Sequence, residues 1–186
     1  MDPWKTLTSA YLLKDGWACV RTDRCRLPNG AVIDPYIVLE YRPWVNIIPI
    51  TVDGMVVMVR QYRHAVGEVH LELPGGTTDE GETDMEAAAR RELKEETGYS
   101  GGQWELCGEA CPNAASHNNR IHYFLARGVQ YSGARHLDAT EDLDAVLMPL
   151  PEVIRQAASG GIPGALHLAG LFLALARMGN PPFGTQ

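Results

Sequence analysis

The sequence predicts an α+β domain on a mixed or mostly antiparallel sheet, from the order of its patterns and its ordinary composition. Several β-rich runs come first, then one long helical pattern, more β-rich runs and two closing helices, an order that suits helices packed on a largely antiparallel sheet. The 186 residues are 45% apolar and 21% charged, enough for one globular core with at most a small appendage. Residues 17–41 read as strands broken by the turn Leu27-Pro28-Asn29-Gly30. An apolar run over 45–51 and an alternating run over 55–62 flank Asp53-Gly54, which predicts a hairpin with a type I′ turn. Residues 70–73 form a short strand stopped by Pro74-Gly75-Gly76, and a helix follows over 84–97. Strands are expected at 103–109, 120–126 and 145–150, and helices at 151–158 and 165–178. The most apolar stretch, 165–176, is shorter than the ~20 residues that span a bilayer, so it reads as a buried or interface helix.

A formal net charge of −7 argues against sequence-independent binding to nucleic acid or to an anionic membrane, both of which need a basic surface. It leaves room for an anionic substrate, because a metal ion can bridge acidic side chains to phosphates. The four cysteines, at 19, 25, 107 and 111, form no C-x-x-C pair, and the first residues are too polar for a secretory leader. A reducing, cytoplasmic setting with cysteines as small core residues is expected. The spacing of Cys107, Cys111 and His117 argues against a zinc site.

The chemistry is expected in residues 75–99. Thr83 with Glu86 three residues later is a capping-box pattern, and Gly98 stands where a helix ends. Glu92, Glu95 and Glu96 are spaced i, i+3, i+4 and share a face with Met85, Ala88 and Ala89, while Ala87, Arg90 and Lys94 fall opposite. A solvated acidic face would lie opposite the small apolar residues, and this one lies with them. The carboxylates also crowd the negative end of the helix dipole, which costs stability unless a cation neutralises them. Clustered oxygens without cysteine or histidine suit a hard ion, Mg²⁺ or Mn²⁺, and magnesium shares its shell readily with phosphate oxygens.

These residues resemble the Nudix box, G-x5-E-x7-R-E-U-x-E-E-x-G-U with U a bulky aliphatic. Arg91-Glu92-Leu93-Lys94-Glu95-Glu96-Thr97-Gly98 matches its second half, and Tyr99 replaces the last aliphatic residue. Gly76 and Glu82 match the first half, but eight residues rather than seven separate Glu82 from Arg91, which leaves open whether those two side chains meet. The resemblance implies a Nudix-type α/β/α sandwich with a mixed sheet over 45–186. It also implies an N-terminal antiparallel strand region over 1–44 that serves a homodimer. Glu92 and Glu96 would be the main metal ligands, Glu95 a further ligand or a catalytic water-holding partner, and the Gly75 carbonyl would complete the shell. Arg91 would orient the glutamates.

The segment VRQYRHAVGEVHLELPGG is similar to the branch that hydrolyses ADP-ribose and related nucleotide sugars. That likeness implies substrate contacts from Arg63 and Glu72, with Arg60 beside them, and an extra catalytic glutamate at Glu141. Glu109 and Asp142 are alternatives for that last role. Read as residues alone, Arg63 is a surface cation by a hairpin, Glu72 a structural acid near a strand end, and Glu141 one member of a solvated acidic loop. Trp44 or Tyr41 would stack on a base, and His117 and Arg120 would border the sugar. The expected reaction is metal-dependent cleavage of a small nucleotide's diphosphate, most simply ADP-ribose to AMP and ribose 5-phosphate. The alternatives are another nucleotide substrate or a module that binds ADP-ribose without cleaving it.

Overall fold

The computed structural model describes residues 1–16, 19–133, 135–137 and 140–179. The expected strand start at residue 17 lies outside the described residues, as do residues 138 and 139 of the acidic loop that carries Glu141.

The chain packs as two compact units, Met1–Pro43 with Ala110–Arg120, and Trp44–Glu109 with Ile121–Gln186. The first is a three-stranded antiparallel sheet in the order β1 (Lys5–Lys14), β2 (Cys19–Arg26), β3 (Val32–Glu40). β1 falls within the strand region expected over 1–44, although the residue pattern marked strands only from residue 17. Its side chains are almost all exposed and its pairing slips twice, so neither alternation nor a run of β-formers marks it. Residues 110–120 join this sheet as a loop. Leu39 N–H donates to Ser116 O at 2.7 Å, Asn118 N–H donates to Leu39 O at 3.2 Å, and the Asn119 amide donates to Arg42 O at 3.1 Å.

The second unit holds β4 (Trp44–Thr51), β5 (Met55–Arg63), β6 (Glu68–Glu72), β7 (Gly75–Thr77), β8 (Tyr99–Ser100), β9 (Gln103–Ala110), β10 (Ile121–Tyr131) and β11 (Leu143–Pro149). Its helices are α1 (Met85–Thr97), α2 (Leu150–Ala158) and α3 (Ala165–Arg177). The main strand order is β11-β5-β4-β10-β8; β10 runs parallel to β4, whereas β11 with β5, β5 with β4 and β6, β4 with β7, and β10 with β8 pair antiparallel, so the sheet is mixed as expected. Alternation along each strand assigns the layers. Val45 and Ile47 of β4, Val57 of β5, and Phe124 and Ala126 of β10 pack with Ala88, Ala89 and Leu93 of α1. Asn46 and Tyr123, which point the other way on β4 and β10, lie against Gly170 of α3. Helices therefore cover both faces. No described helix is long and apolar enough to cross a membrane.

β4 and β5 share one register pair, Ile50↔Val56, beside their hairpin. Beyond it they part, β4 taking β7 and β5 taking β6 as neighbour. The hairpin differs from expectation. Gly54 has φ +81°, but no described residue other than glycine has positive φ, so Asp53 does not adopt the type I′ conformation. The connection is instead a three-residue loop in which Gly54 N–H donates to Thr51 O at 3.0 Å and glycine alone takes the left-handed position.

The capping residue also moves by one. Asp84 caps α1, its carboxylate accepting from the Glu86 and Ala87 amides at 3.0 Å each. Asp84→Ala is expected to lower stability by about 1 kcal/mol. Thr83→Ala should change it by less than about 0.5 kcal/mol, as a surface substitution does. Urea midpoints for the two variants test the assignment, and equal losses would overturn it.

Candidate active site

α1 is set by its apolar phase. Ala88, Ala89 and Leu93 are buried against the sheet, and that rotation carries Glu92 and Glu96 inward with them. Glu95, 60° away from Glu92 around the helix, stays at the rim with its side chain 39% exposed. The three carboxylates thus divide into a buried pair and a rim member, where sequence spacing alone had grouped them.

β7 supplies the wall opposite the helix. The Gly75 amide donates to Glu96 Oε2 at 3.0 Å. The Glu92 carboxylate fills the space where a side chain at Gly76 would begin, since a Cβ there would stand 2.6 Å from its carboxyl carbon. Burial pushes Glu92 up to about 7, with Glu95 and Glu141 adding to the rise against the pull of Arg91. Burial pushes Glu96 up to about 8, against its hydrogen bond from Gly75 and with Glu92 and Glu141 adding to it. Glu141 acts on both carboxylates, so the sequence-predicted loop acid stands near the buried pair. Glu109 faces His122 at 3.8 Å instead, and Asp142 is exposed.

Arg91 gathers the remaining acids. Its guanidinium lies 3.1 Å from Glu92, 3.0 Å from Glu95, 3.2 Å from Glu82 and 3.5 Å from Asp79, and it donates to Thr77 O at 3.3 Å. Burial alone would lower its pKa, but the surrounding carboxylates hold it above the ordinary arginine value. The inserted residue does not keep Glu82 from Arg91. Glu82 reaches Arg91 and also accepts from the Asp79 amide at 2.9 Å, closing the loop before the helix.

Arg63 and Glu72 meet on β5 and β6. Arg63 Nε lies 2.9 and 3.1 Å from the two Glu72 oxygens, and its Nη2 also donates to Oε2. The Arg63 side chain remains 44% exposed, whereas Glu72 is 3% exposed. Glu96 adds to the rise in the Arg63 pKa, so this pair borders the buried glutamates. Arg60 is not brought to them. It points from the opposite face of β5, next to Val69, Leu71 and Gln156. Tyr41 and His117 pack on each other with ring centroids 5.1 Å apart.

Sequence reasoning missed Asn46, Asp79, His70 and His167. His70 lies 3.5 Å from Glu72, and His167 lies 3.4 Å from it. A lone histidine within the apolar pattern of α3 was the available signal for the last.

A divalent ion suits this donor set. Glu92 and Glu96 offer only carboxylate oxygens and are raised in pKa chiefly by burial, with neighbouring carboxylates adding to it, so a bound cation would stabilise their charged forms. As the side chains stand, no trio of His, Cys, Asp or Glu among the described residues is gathered tightly enough to grip an ion, and Glu95 pairs with Arg91.

Residues 40–165 match the NUDIX domain model, and residues 4–39 match the nucleoside diphosphate sugar hydrolase N-terminal domain. The chain is 28% identical over 171 residues to an ADP-ribose pyrophosphatase of Mycobacterium tuberculosis, covering 90% of this chain and 81% of the relative. It is 31% identical over 152 residues to a methanol dehydrogenase activator of Bacillus methanolicus, covering 81% of each. A crystal structure of an ADP compounds hydrolase superposes with a TM-score of 0.82 at 22% identity, covering 97% of this chain and 98% of that one.

Proposed function

This chain belongs to the Nudix hydrolase family, and from that premise we propose that it cleaves the diphosphate of ADP-ribose to AMP and ribose 5-phosphate. Its reaction class is pyrophosphohydrolysis of nucleoside diphosphate sugars. The choice of ADP-ribose draws on the relatives named ADP-ribose pyrophosphatases. The observation that carries the proposal is the buried pair Glu92 and Glu96, raised to about 7 and 8 and bordered by the half-exposed Arg63.

In this reading Glu92 and Glu96 hold Mg²⁺ or Mn²⁺, with Glu95 and the Gly75 carbonyl completing the shell. Such an ion, when bound, would supply charge neutralisation at the diphosphate and a lowered pKa for a water. Glu141 accepts the proton of the attacking water as its oxygen bonds to one phosphorus. The bridging P–O bond breaks and the leaving phosphate takes up a proton, so the elements of water are divided between the two products. Arg91, fixed by four carboxylates, keeps Glu92 and Glu95 in place. Arg63 presents its guanidinium to the diphosphate, and Glu72 serves the substrate by holding Arg63. Arg60, on the other face of β5, belongs to the substrate set only if the nucleotide wraps that edge. A homodimer through residues 1–44 and a cytoplasmic setting complete the proposal.

The test is product release from ADP-ribose, GDP-mannose, a diadenosine polyphosphate, NADH and an oxidised dGTP, with and without Mg²⁺, on a preparation whose mass is measured by light scattering. The expected result is metal-dependent cleavage of ADP-ribose above the others, by a particle of twice the chain mass. Preference for another member moves the substrate, tight binding of ADP-ribose without cleavage makes the chain a binding module, and a monomer mass removes the dimer.

A further inference from the structure

Glu72 is a buried carboxylate whose partners come from three elements. Arg63 reaches it from β5, His70 from its own strand, and His167 from the first turn of α3, beyond the end of the NUDIX match at residue 165. His167 is itself 6% exposed, so its ring faces protein on all sides.

Its hydrogen bonds determine its tautomer. The Leu73 amide points at Nδ1 from 3.3 Å, and the Asn46 side-chain nitrogen lies 3.2 Å from the same atom. A backbone N–H can only donate, so Nδ1 accepts from Leu73, which leaves the proton on Nε2. Nε2 in turn faces Glu72 Oε2 at 3.4 Å. The ring therefore relays a fixed backbone N–H at Leu73 to the carboxylate that holds Arg63. Burial alone would raise Glu72, but Arg63 and His167 beside it outweigh that and hold the carboxyl below the usual carboxylate range. α3 can deliver the ring because Gly170, one turn further on, packs directly on Asn46 and Tyr123. A Cβ there would stand 2.7 Å from Asn46 Oδ1 and 2.9 Å from the tyrosine ring.

We infer that His167 is a positioning residue for substrate binding, which orients Glu72 through Nε2–H and through it aims Arg63 at the anionic substrate. The inference rests on the proposed role of Arg63 toward the diphosphate. A purely structural histidine would be served equally by any side chain that satisfies the Leu73 amide. A positioning histidine must also reach Glu72.

The substitutions separate these roles. In His167→Asn the side chain can accept from the Leu73 amide but is too short to reach Glu72. In His167→Gln the longer amide can donate to Glu72. With the nucleotide that the wild-type enzyme cleaves best, H167N is expected to raise KM about tenfold, the size of one lost hydrogen bond to a charged group, with kcat within about threefold. H167Q should restore KM to within about threefold of wild type. In an Arg63→Ala background, H167N should add almost nothing, because its effect passes through Arg63. Equal KM for H167N and wild type, equal defects in both His167 variants, or an undiminished effect in the Arg63→Ala background would each overturn the inference. If H167N does not fold by circular dichroism, a wild-type-like H167Q with a tenfold KM defect in Glu72→Gln supports it, and a wild-type KM in Glu72→Gln overturns it. Absence of cleavage by the wild-type enzyme would instead overturn the functional reading on which it stands.

Discussion

Glu96→Gln is expected to lower kcat by about a thousandfold and, with metal removed, to raise the melting temperature at about pH 9. Both effects follow from one buried charge. Glu96 sits beside Glu92 with Glu141 adding its field, and the Gly75 amide is the hydrogen-bond donor recorded for it. An amide keeps that hydrogen bond through its oxygen but carries no negative charge, so it weakens the hold on a divalent ion. The same loss relieves the repulsion within the metal-free site. A general packing defect would lower both activity and stability, whereas this substitution is expected to move them in opposite directions. Turnover within tenfold of wild type would remove Glu96 from the metal site. A lower metal-free melting temperature would show that the carboxylate is stabilising as it stands.

The second large effect is on stability against pH in a chelator. Glu92 and Glu96 are raised to about 7 and 8 from the ordinary 4.5, so between those values the folded protein binds more protons than the unfolded chain. Stability that is present below about pH 4.5 is therefore lost as pH rises through 7 and 8, by an amount on the order of a few kcal/mol. Glu72 acts the other way. Held at about 2, its contribution is present above pH 4.5 and lost as pH falls toward 2. The metal-free protein should accordingly be most stable near pH 4.5 to 5. Added Mg²⁺ binds the deprotonated pair, so its stabilising increment should grow with pH. Thermal melts from pH 4 to 9 in chelator and in Mg²⁺ measure this. A Mg²⁺ increment that is constant across the range would contradict the assignment of Glu92 and Glu96 as ligands.

What was legible in the sequence is what depends on near neighbours. The helical phase that sets Glu92 and Glu96 against Ala88, Ala89 and Leu93 is a local property, and the buried pair follows from it. Local rules were less able to choose between close alternatives. Asp84 and Thr83 are both good caps, and the backbone decides which side chain faces the first amides. Asp53-Gly54 marks a hairpin, but loop length, not the dipeptide, selects the turn. The reach of Glu82 to Arg91 depended on how a loop closes around Asp79. The relay from Leu73 through His167 to Glu72 joins residues more than 90 positions apart, and no local pattern encodes such a meeting.

The grouping of residues 110–120 with the first 43 has a consequence for how the chain acquires its structure during synthesis. The three N-terminal strands leave the ribosome early and can pair at once, since β1, β2 and β3 follow one another. Leu39 at the end of that sheet must nevertheless wait for Ser116 and Asn118, some 77 and 79 residues later, before its amide and carbonyl find their partners. By then β4 to β9 and α1 have been made, while β10 and the closing helices have not. This sheet can thus begin to pair before the strands that follow it are made but cannot be completed until Asn118 has emerged, so its edge stays open to mispairing through that interval.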